Sequence, residues 1–236
     1  MDLWVKMSAA GGTYFGLAAM FRVKICGITN KADALEAVRL GADAVGLNFY
    51  AKSPRCVDRD TARELVAALP AGVAKVGVFV NAPTDEIAEL VDNLGLDCLQ
   101  LHGDEPPQFL AELRGRRLIR AFRCGEEGLG PAKVYLDECA RAGRLPSAIL
   151  VDASSEGAYG GTGRTANWKG IAETRALLGD LPLILAGGLT PDNVAEAIRI
   201  VRPEAVDVAS GVESTARRKD AKLMQRFIEA ARTARS

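Results

Sequence analysis

The sequence predicts an α/β protein, a single (β/α)8 TIM barrel, from three observations. From residue 21 onward, short apolar runs alternate with amphipathic stretches, which is typical of parallel βαβ units. The apolar runs are almost continuous, as in strands buried on both faces. Eight such units fit into a chain of 236 residues, a length that one barrel domain reaches. A doubly wound Rossmann-like sheet is the alternative, and it is disfavoured because no G-x-G-x-x-G follows the first strand.

Each predicted strand is a β-branched or apolar run that ends in polar residues or glycine. In chain order the strands are VKICGI (23–28), AVGLNFY (44–50), KVGVFV (75–80), CLQLHG (98–103), LIRAF (118–122), AILVDA (148–153), LILAGG (183–188) and AVDVASG (205–211).

The predicted helices have apolar residues three and four positions apart, and several begin at Thr, Asp or Asn and end at Gly or Pro. The clearest are KADALEAVRLG (31–41), DRDTARELVAAL (58–69), TDEIAELVDNLG (84–95), PDNVAEAIRIV (191–201) and KDAKLMQRFIEAAR (219–232).

Residues 21–236 are therefore predicted to form the catalytic barrel, and residues 1–20 a non-catalytic N-terminal extension. The extension is mildly apolar, so a signal peptide is the alternative. Gly11, Gly12 and Gly16 interrupt its apolar part, and cleavage near Ala19 would fall directly before a core strand. An extension, or a true start at Met20, fits better.

Composition excludes several classes of function. Thirty basic and thirty acidic residues cancel, which argues against nucleic-acid and membrane partners. No apolar run approaches the roughly 18–20 residues of a membrane span. The five cysteines are scattered without a C-x-x-C pair, which argues against disulfides and a zinc site and favours a cytoplasmic location. Monomer and homodimer both stay open.

Two glycine-bearing turns predict a phosphate site. In (β/α)8 barrels the loops after strands seven and eight frequently bind phosphate, and here they read GGLTPDN (187–193) and ASGVES (209–214). Glycine lets the backbone approach an anion closely, and N–H groups at a helix start can bind it. The alternative is that these glycines only make tight turns. The predicted donors are Gly187, Gly188, Ser210 and Gly211, completed by Gly161 and Gly163 from the loop after strand six.

Reactive side chains are expected where strands end, because barrel active sites lie on that face. Cys26 ends strand one, and a thiol whose pKa is lowered by a nearby cation or helix N-terminus could act as base or nucleophile. The alternative for Cys26 is a small buried hydrophobe. Asp152 ends strand six, where partial burial would favour a protonated carboxyl that can donate. Its alternative is a helix cap or a structural salt bridge.

Three further residues are candidates for the same face. Arg55 follows strand two beside Ser53–Pro54 and could present its guanidinium to a carboxylate. Gln100 and His102 end strand four. His102 is the single histidine of the chain, and it fits a packed hydrogen-bonding group as well as a direct part in the chemistry.

Seven motifs in order resemble the phosphoribosylanthranilate isomerase family of tryptophan biosynthesis. They are KICGIT, GLNFY with SPR, VGVFVN, LQLHGDE, VDA followed by GGTG, LAGGLTPDNV and VASGVE, and they extend from residue 21 to about 232. The resemblance implies a cofactor-free and metal-free barrel that performs an Amadori rearrangement on a phosphorylated small molecule. It implies Cys26 as general base, Asp152 as general acid and Arg55 as the ligand of the anthranilate carboxylate. The phosphate turns fall on Gly187–Gly188 and Ser210–Gly211.

The chain departs from the family pattern at two places. Thr165, Ala166 and Asn167 stand before Trp168 where a phenylalanine and an aspartate are common, and Ser214 to Arg218 replace a Pro-Gly turn. The loop from Ser154 to Asn167 is expected to cover the substrate and exclude water.

Three alternatives to this function stay open. A related aminoaldose-phosphate isomerase of histidine biosynthesis, or a dual-specificity enzyme, typically has an aspartate at the position of Cys26. An indole-glycerol-phosphate synthase would need a catalytic lysine at a strand end, and Lys24 precedes it. A non-enzymatic barrel that binds sugar phosphates would not need an acid and a base facing each other.

Overall fold

Eight parallel strands form a closed barrel in chain order, β1-β2-β3-β4-β5-β6-β7-β8, and β8 pairs with β1. This computed structural model describes residues 21–125, 128–152 and 167–235. The predicted (β/α)8 fold is confirmed. The strands are β1 Val23–Cys26, β2 Ala44–Asn48, β3 Ala74–Phe79, β4 Cys98–Leu101, β5 Leu118–Arg123, β6 Ala148–Asp152, β7 Leu183–Leu185 and β8 Ala205–Val208.

A helix follows every barrel strand. Asn30, Asp58 and Asp220 begin three of the helices, where each side chain accepts hydrogen bonds from backbone N–H groups of the first turn. The helices are α1 Lys31–Arg39, α2 Arg59–Ala68, α3 Thr84–Leu94, α4 Pro107–Glu112, α5 Gly130–Arg141, α6 Trp168–Thr174, α7 Val194–Val201 and α8 Ala221–Thr233.

Two apolar clusters hold the layers together. The larger lies between strands and helices and includes Ile25, Leu47 and Phe227. The smaller fills the barrel interior, largely with short side chains such as Ala148 and Ala205, and Phe21 belongs to it. The interior is therefore a packed core, and a ligand site has to lie above it at an end of the strands.

The strands end earlier than the sequence predicts, at the end of the barrel that carries the site. Strand seven ends at Leu185 and strand eight at Val208, so Gly187–Gly188 and Ser210–Gly211 lie in turns beyond them. Ser210–Val212 form a 3₁₀ turn. A two-stranded hairpin then follows, β9 Glu213–Thr215 with β10 Arg218–Lys219, and it contains most of the segment that departs from the family pattern.

The predicted extension, residues 1–20, lies outside the described residues, as do residues 154–166 of the expected cover. Among the helices of the described ranges, none has both the length and the apolar character that crossing a bilayer requires.

Candidate active site

A pocket opens at the carboxyl ends of the barrel strands. Its wall combines a thiol, two carboxylates, a guanidinium and an imidazole with two glycine turns. The structure places nearly all of the sequence-predicted site residues in this one wall. They are Cys26, Arg55, Gln100, His102, Asp152, Gly187, Gly188, Ser210 and Gly211. Gly161 and Gly163 lie outside the described residues.

Cys26 ends β1, and its thiol occupies space that a glycine leaves on the neighbouring strand. Gly46 is the register partner of Cys26 on β2, and a Cβ at residue 46 would lie 2.6 Å from the Cys26 Sγ. Burial raises the pKa of the Cys26 thiol. The cations Lys24, Lys219 and Arg55 act in the opposite direction but do not outweigh burial and the Asp207 carboxylate. The resting group is therefore a thiol with a pKa above its ordinary value.

Asp152, buried at the end of β6, begins a row of polar contacts that crosses the barrel. Its Oδ2 lies 3.2 Å from the Nε2 of His102, whose Nδ1 lies 3.0 Å from the Gln100 Nε2. Gln100 Oε1 accepts a hydrogen bond of 2.7 Å from the Lys24 ammonium, and Asp207 Oδ2 accepts another of 3.0 Å. The two sides of the pocket are thus connected through the top of the interior.

Lys24 is fully buried and charged. Burial lowers its pKa, but the neighbouring Asp207 and Cys26 raise it by more, so the net pKa lies above the ordinary value. A buried charge is costly unless it is paired. Asp207 is the counter-charge in this interior.

Arg55 holds a carboxylate of its own chain. Its Nε and Nη2 donate to the two oxygens of Glu213, over 2.7 and 2.6 Å. Glu213 also accepts a 2.9 Å hydrogen bond from Lys219 Nζ. Burial raises the pKa of Glu213, but Arg55 and Lys219 lower it by more, so the net pKa lies below the ordinary value. Glu213 therefore stays ionised. The β9–β10 hairpin positions both of these partners.

The two glycine turns face the same pocket. Gly187 and Gly188 have φ of 81° and 65°, values that favour glycine, and Asn193 Nδ2 donates to the Gly188 carbonyl. Among the described residues, no backbone carbonyl accepts a hydrogen bond from the N–H of either glycine. A Cβ on Gly211 would collide with the carbonyl oxygen of Leu189, so the two turns pack against each other only with glycine there.

A family model described as N-(5'-phosphoribosyl)anthranilate (PRA) isomerase matches residues 23–230. The chain belongs to the N-(5'-phosphoribosyl)anthranilate isomerase family.

Individual members of the isomerase family agree in sequence and in fold. The N-(5'-phosphoribosyl)anthranilate isomerase of Geobacter metallireducens is 49% identical over 214 residues, which are 90% of this chain and 100% of that protein. The solved structure of the Thermotoga maritima phosphoribosyl anthranilate isomerase has a TM-score of 0.79 and 37% identity, over 91% of this chain and 100% of that chain. A solved isomerase in complex with reduced 1-(o-carboxyphenylamino)-1-deoxyribulose 5-phosphate has a TM-score of 0.76 and 36% identity, with the same coverage.

Four charged residues in or beside this candidate site were not predicted as site residues by the sequence analysis. Lys24 and Asp207 lie within predicted strands, where a charged residue in an apolar run was the available signal. Glu213 and Lys219 lie in a hairpin whose strands lack the alternating apolar residues from which a strand could be predicted. Within the described ranges, no three His, Cys, Asp or Glu side chains are grouped as metal ligands would be.

Proposed function

We propose that this chain isomerises N-(5'-phosphoribosyl)anthranilate to 1-(2-carboxyphenylamino)-1-deoxyribulose 5-phosphate, with Asp152 as general acid and Cys26 as general base. The observation that carries the proposal is that this thiol and this carboxyl line one pocket together with two glycine turns. One donor and one acceptor of protons suffice for an Amadori rearrangement.

The reaction moves two protons in turn. Asp152 protonates the ring oxygen of the ribose, the C1–O bond breaks, and a Schiff base forms between C1 and the anthranilate nitrogen. The Cys26 thiolate then removes the proton from C2 and gives an enolamine, which tautomerises to the ketone. Proton transfer by positioned groups typically contributes about 10²–10⁴-fold to a rate.

Cations around Cys26 oppose the effect of burial on its thiol. A thiol with a raised pKa is rarely ionised at neutral pH, but each thiolate formed is a stronger base. Lys24, Lys219 and Arg55 each favour the thiolate. The buried cations therefore limit a penalty that burial alone would make larger.

The substrate has two anionic ends, and the pocket offers a separate anchor for each. The N–H groups of Gly187 and Gly188 would bind the phosphate together with the Ser210–Gly211 turn. Arg55 would meet the anthranilate carboxylate through the part of its guanidinium that Glu213 does not hold. Anchors remote from the reacting carbons orient the sugar and supply binding energy.

A coupled assay tests the proposal. Anthranilate, phosphoribosyl pyrophosphate and a phosphoribosyltransferase generate the fluorescent substrate, and the chain should consume it without added metal. Cys26→Ala and Asp152→Ala should each lower kcat by at least about 10²-fold. The controls are Cys56→Ala, outside the pocket wall, and Asp137→Ala on the exposed face of α5. Unchanged turnover in either site variant refutes that assignment, and full turnover of the histidine-pathway aminoaldose by the parent refutes a single substrate.

A cytoplasmic location is part of the proposal. All five cysteines are free thiols, which supports a reducing compartment. Alkylation of the denatured protein, taken from cells under acid quench, should label five thiols, and labelling of three or fewer would contradict this location.

A further inference from the structure

We propose that His102 is a positioning residue that does not exchange protons, and that Lys24 acts through Gln100 to fix it as the Nε2–H tautomer facing Asp152. The inference rests on the proposed function because it assigns a role beside the general acid. His102 and Gln100 have no part in the mechanism above, and Lys24 enters it only through its positive charge near Cys26.

The Lys24 ammonium can only donate hydrogen bonds. Gln100 must therefore turn its oxygen toward Lys24, and the 2.7 Å contact from Nζ to Oε1 has that arrangement. An amide can be placed in either of two orientations that look alike, but a buried cation permits only one of them. The Gln100 NH2 group is consequently directed the other way, to His102.

The next contact sets the proton on the imidazole. Gln100 Nε2 lies 3.0 Å from His102 Nδ1, and because Nε2 is a donor, Nδ1 has to be the acceptor. A neutral imidazole with an acceptor at Nδ1 carries its proton on Nε2. A second proton, on Nδ1, would place two donors against each other.

The last contact reaches the acid. His102 Nε2 lies 3.2 Å from Asp152 Oδ2, a distance that a hydrogen bond spans. Since Nε2 already carries its proton, Oδ2 is the acceptor and the exchangeable proton of Asp152 belongs on Oδ1. The carboxyl thus has Oδ2 held by His102, which leaves Oδ1 as the oxygen that would serve the sugar.

The backbone around His102 is fixed as well, which suits a positioning role. The His102 N–H donates to the Phe79 carbonyl over 2.8 Å. The Glu105 carboxylate accepts from the N–H groups of Gly103 and Asn81, and Arg120 lies 3.3 Å from it. The ring therefore projects from a loop that is bound on both sides.

The first test reads the tautomer directly, without any turnover. His102 is the single histidine of the chain, so ¹⁵N-histidine labelling gives one pair of ring signals. At pH 8 we expect a protonated Nε2 and an unprotonated Nδ1. Gln100→Glu places an acceptor against Nδ1, and Nδ1 should then become protonated, whereas the exposed control Gln225→Glu should change nothing. A protonated Nδ1 in the parent, or no change in Gln100→Glu, overturns the proposal.

The second test separates positioning from proton transfer. Glutamine can present an N–H to Asp152 but cannot shuttle a proton, so His102→Gln should keep kcat within about fivefold while His102→Leu loses at least about tenfold, with KM changing less. Equal large losses in both variants would make His102 a proton carrier, and no loss in His102→Leu would leave it without a role. Thermal unfolding checks that the variants fold. An inactive parent would refute the proposed function, while the tautomer experiment would still decide this inference.

Discussion

Gly46→Ala tests the position of the Cys26 thiol without altering any reactive group. Gly46 is paired with Cys26 across β1 and β2, and the added Cβ would lie 2.6 Å from Cys26 Sγ and 3.0 Å from Lys24 Cε. Ordinary contacts begin at 3.4 Å. The sulfur therefore has to move by roughly 1 Å, or the two strands have to separate by a similar amount.

A displacement of this size has separate consequences for rate and for stability. A misplacement of about 1 Å can lower a catalysed rate by about 10²-fold, so kcat should fall by that order. Overpacking a core typically costs about 1–3 kcal/mol of unfolding free energy. The rate comes from the coupled fluorescence assay and the stability from urea unfolding.

Gly77→Ala is the matched control. Its Cβ would lie 2.8 Å from Leu96 Cδ1 and from Phe79 Cε2, in the layer between strands and helices. The stability loss should be similar, but kcat should stay within about twofold because no pocket residue is displaced. If Gly46→Ala is folded and its kcat equals that of Gly77→Ala, catalysis does not depend on the position of the Cys26 sulfur. That result would refute Cys26 as the general base.

Three further predictions concern ionisation, phosphate and the buried pair. Because burial raises the pKa of Cys26, the thiolate is the minor form at neutral pH. The value of kcat/KM should therefore rise by up to about tenfold per pH unit between pH 7 and 9. A plateau already at pH 7 would contradict Cys26 as the base. Gly211→Ala should raise KM, and the inhibition constant of inorganic phosphate, by at least about tenfold, since the new Cβ meets the Leu189 carbonyl and separates the turns; unchanged phosphate inhibition would remove Gly211 from the site. Lys24→Met should lower the unfolding free energy by about 3–5 kcal/mol, because Asp207 is left buried without its counter-charge; a loss below about 1 kcal/mol in urea unfolding would show that the pair is not required.

The fold could be predicted from the sequence because each barrel unit repeats the same local pattern. Near-continuous apolar runs such as AILVD in β6 have to be buried on both faces, and only a parallel sheet covered by helices does that. Strand ends were less predictable. Apolar residues and glycines continue beyond Leu185, which suggests a longer strand. The positive φ of Gly187 and Gly188 instead turns the chain away from the sheet, and β7 ends at Leu185.

Part of the candidate site could be predicted for the same reason. Cys26 and Asp152 are placed by the rule that barrel chemistry lies where strands end, and the rule needs no knowledge of side-chain contacts. The partners of Arg55 could not be found in this way. Glu213 lies 158 residues away in the chain, and nothing local relates the two, so the contact depends on the closed barrel bringing β8 beside β1.

Lys24 shows why charged residues inside the strands could not be predicted as site residues from the sequence pattern. A lysine in an apolar strand departs from the pattern of buried apolar residues. The lysine stem nevertheless packs like an aliphatic chain and can place its charge at a polar end of the strand. Gly46 leaves the room for this stem and for the Cys26 sulfur at once, since a Cβ there would crowd both atoms. The barrel core and the pocket therefore share the packing around residue 46. A substitution at residue 46 should disturb stability and chemistry together, while a substitution in the outer layer should disturb stability alone.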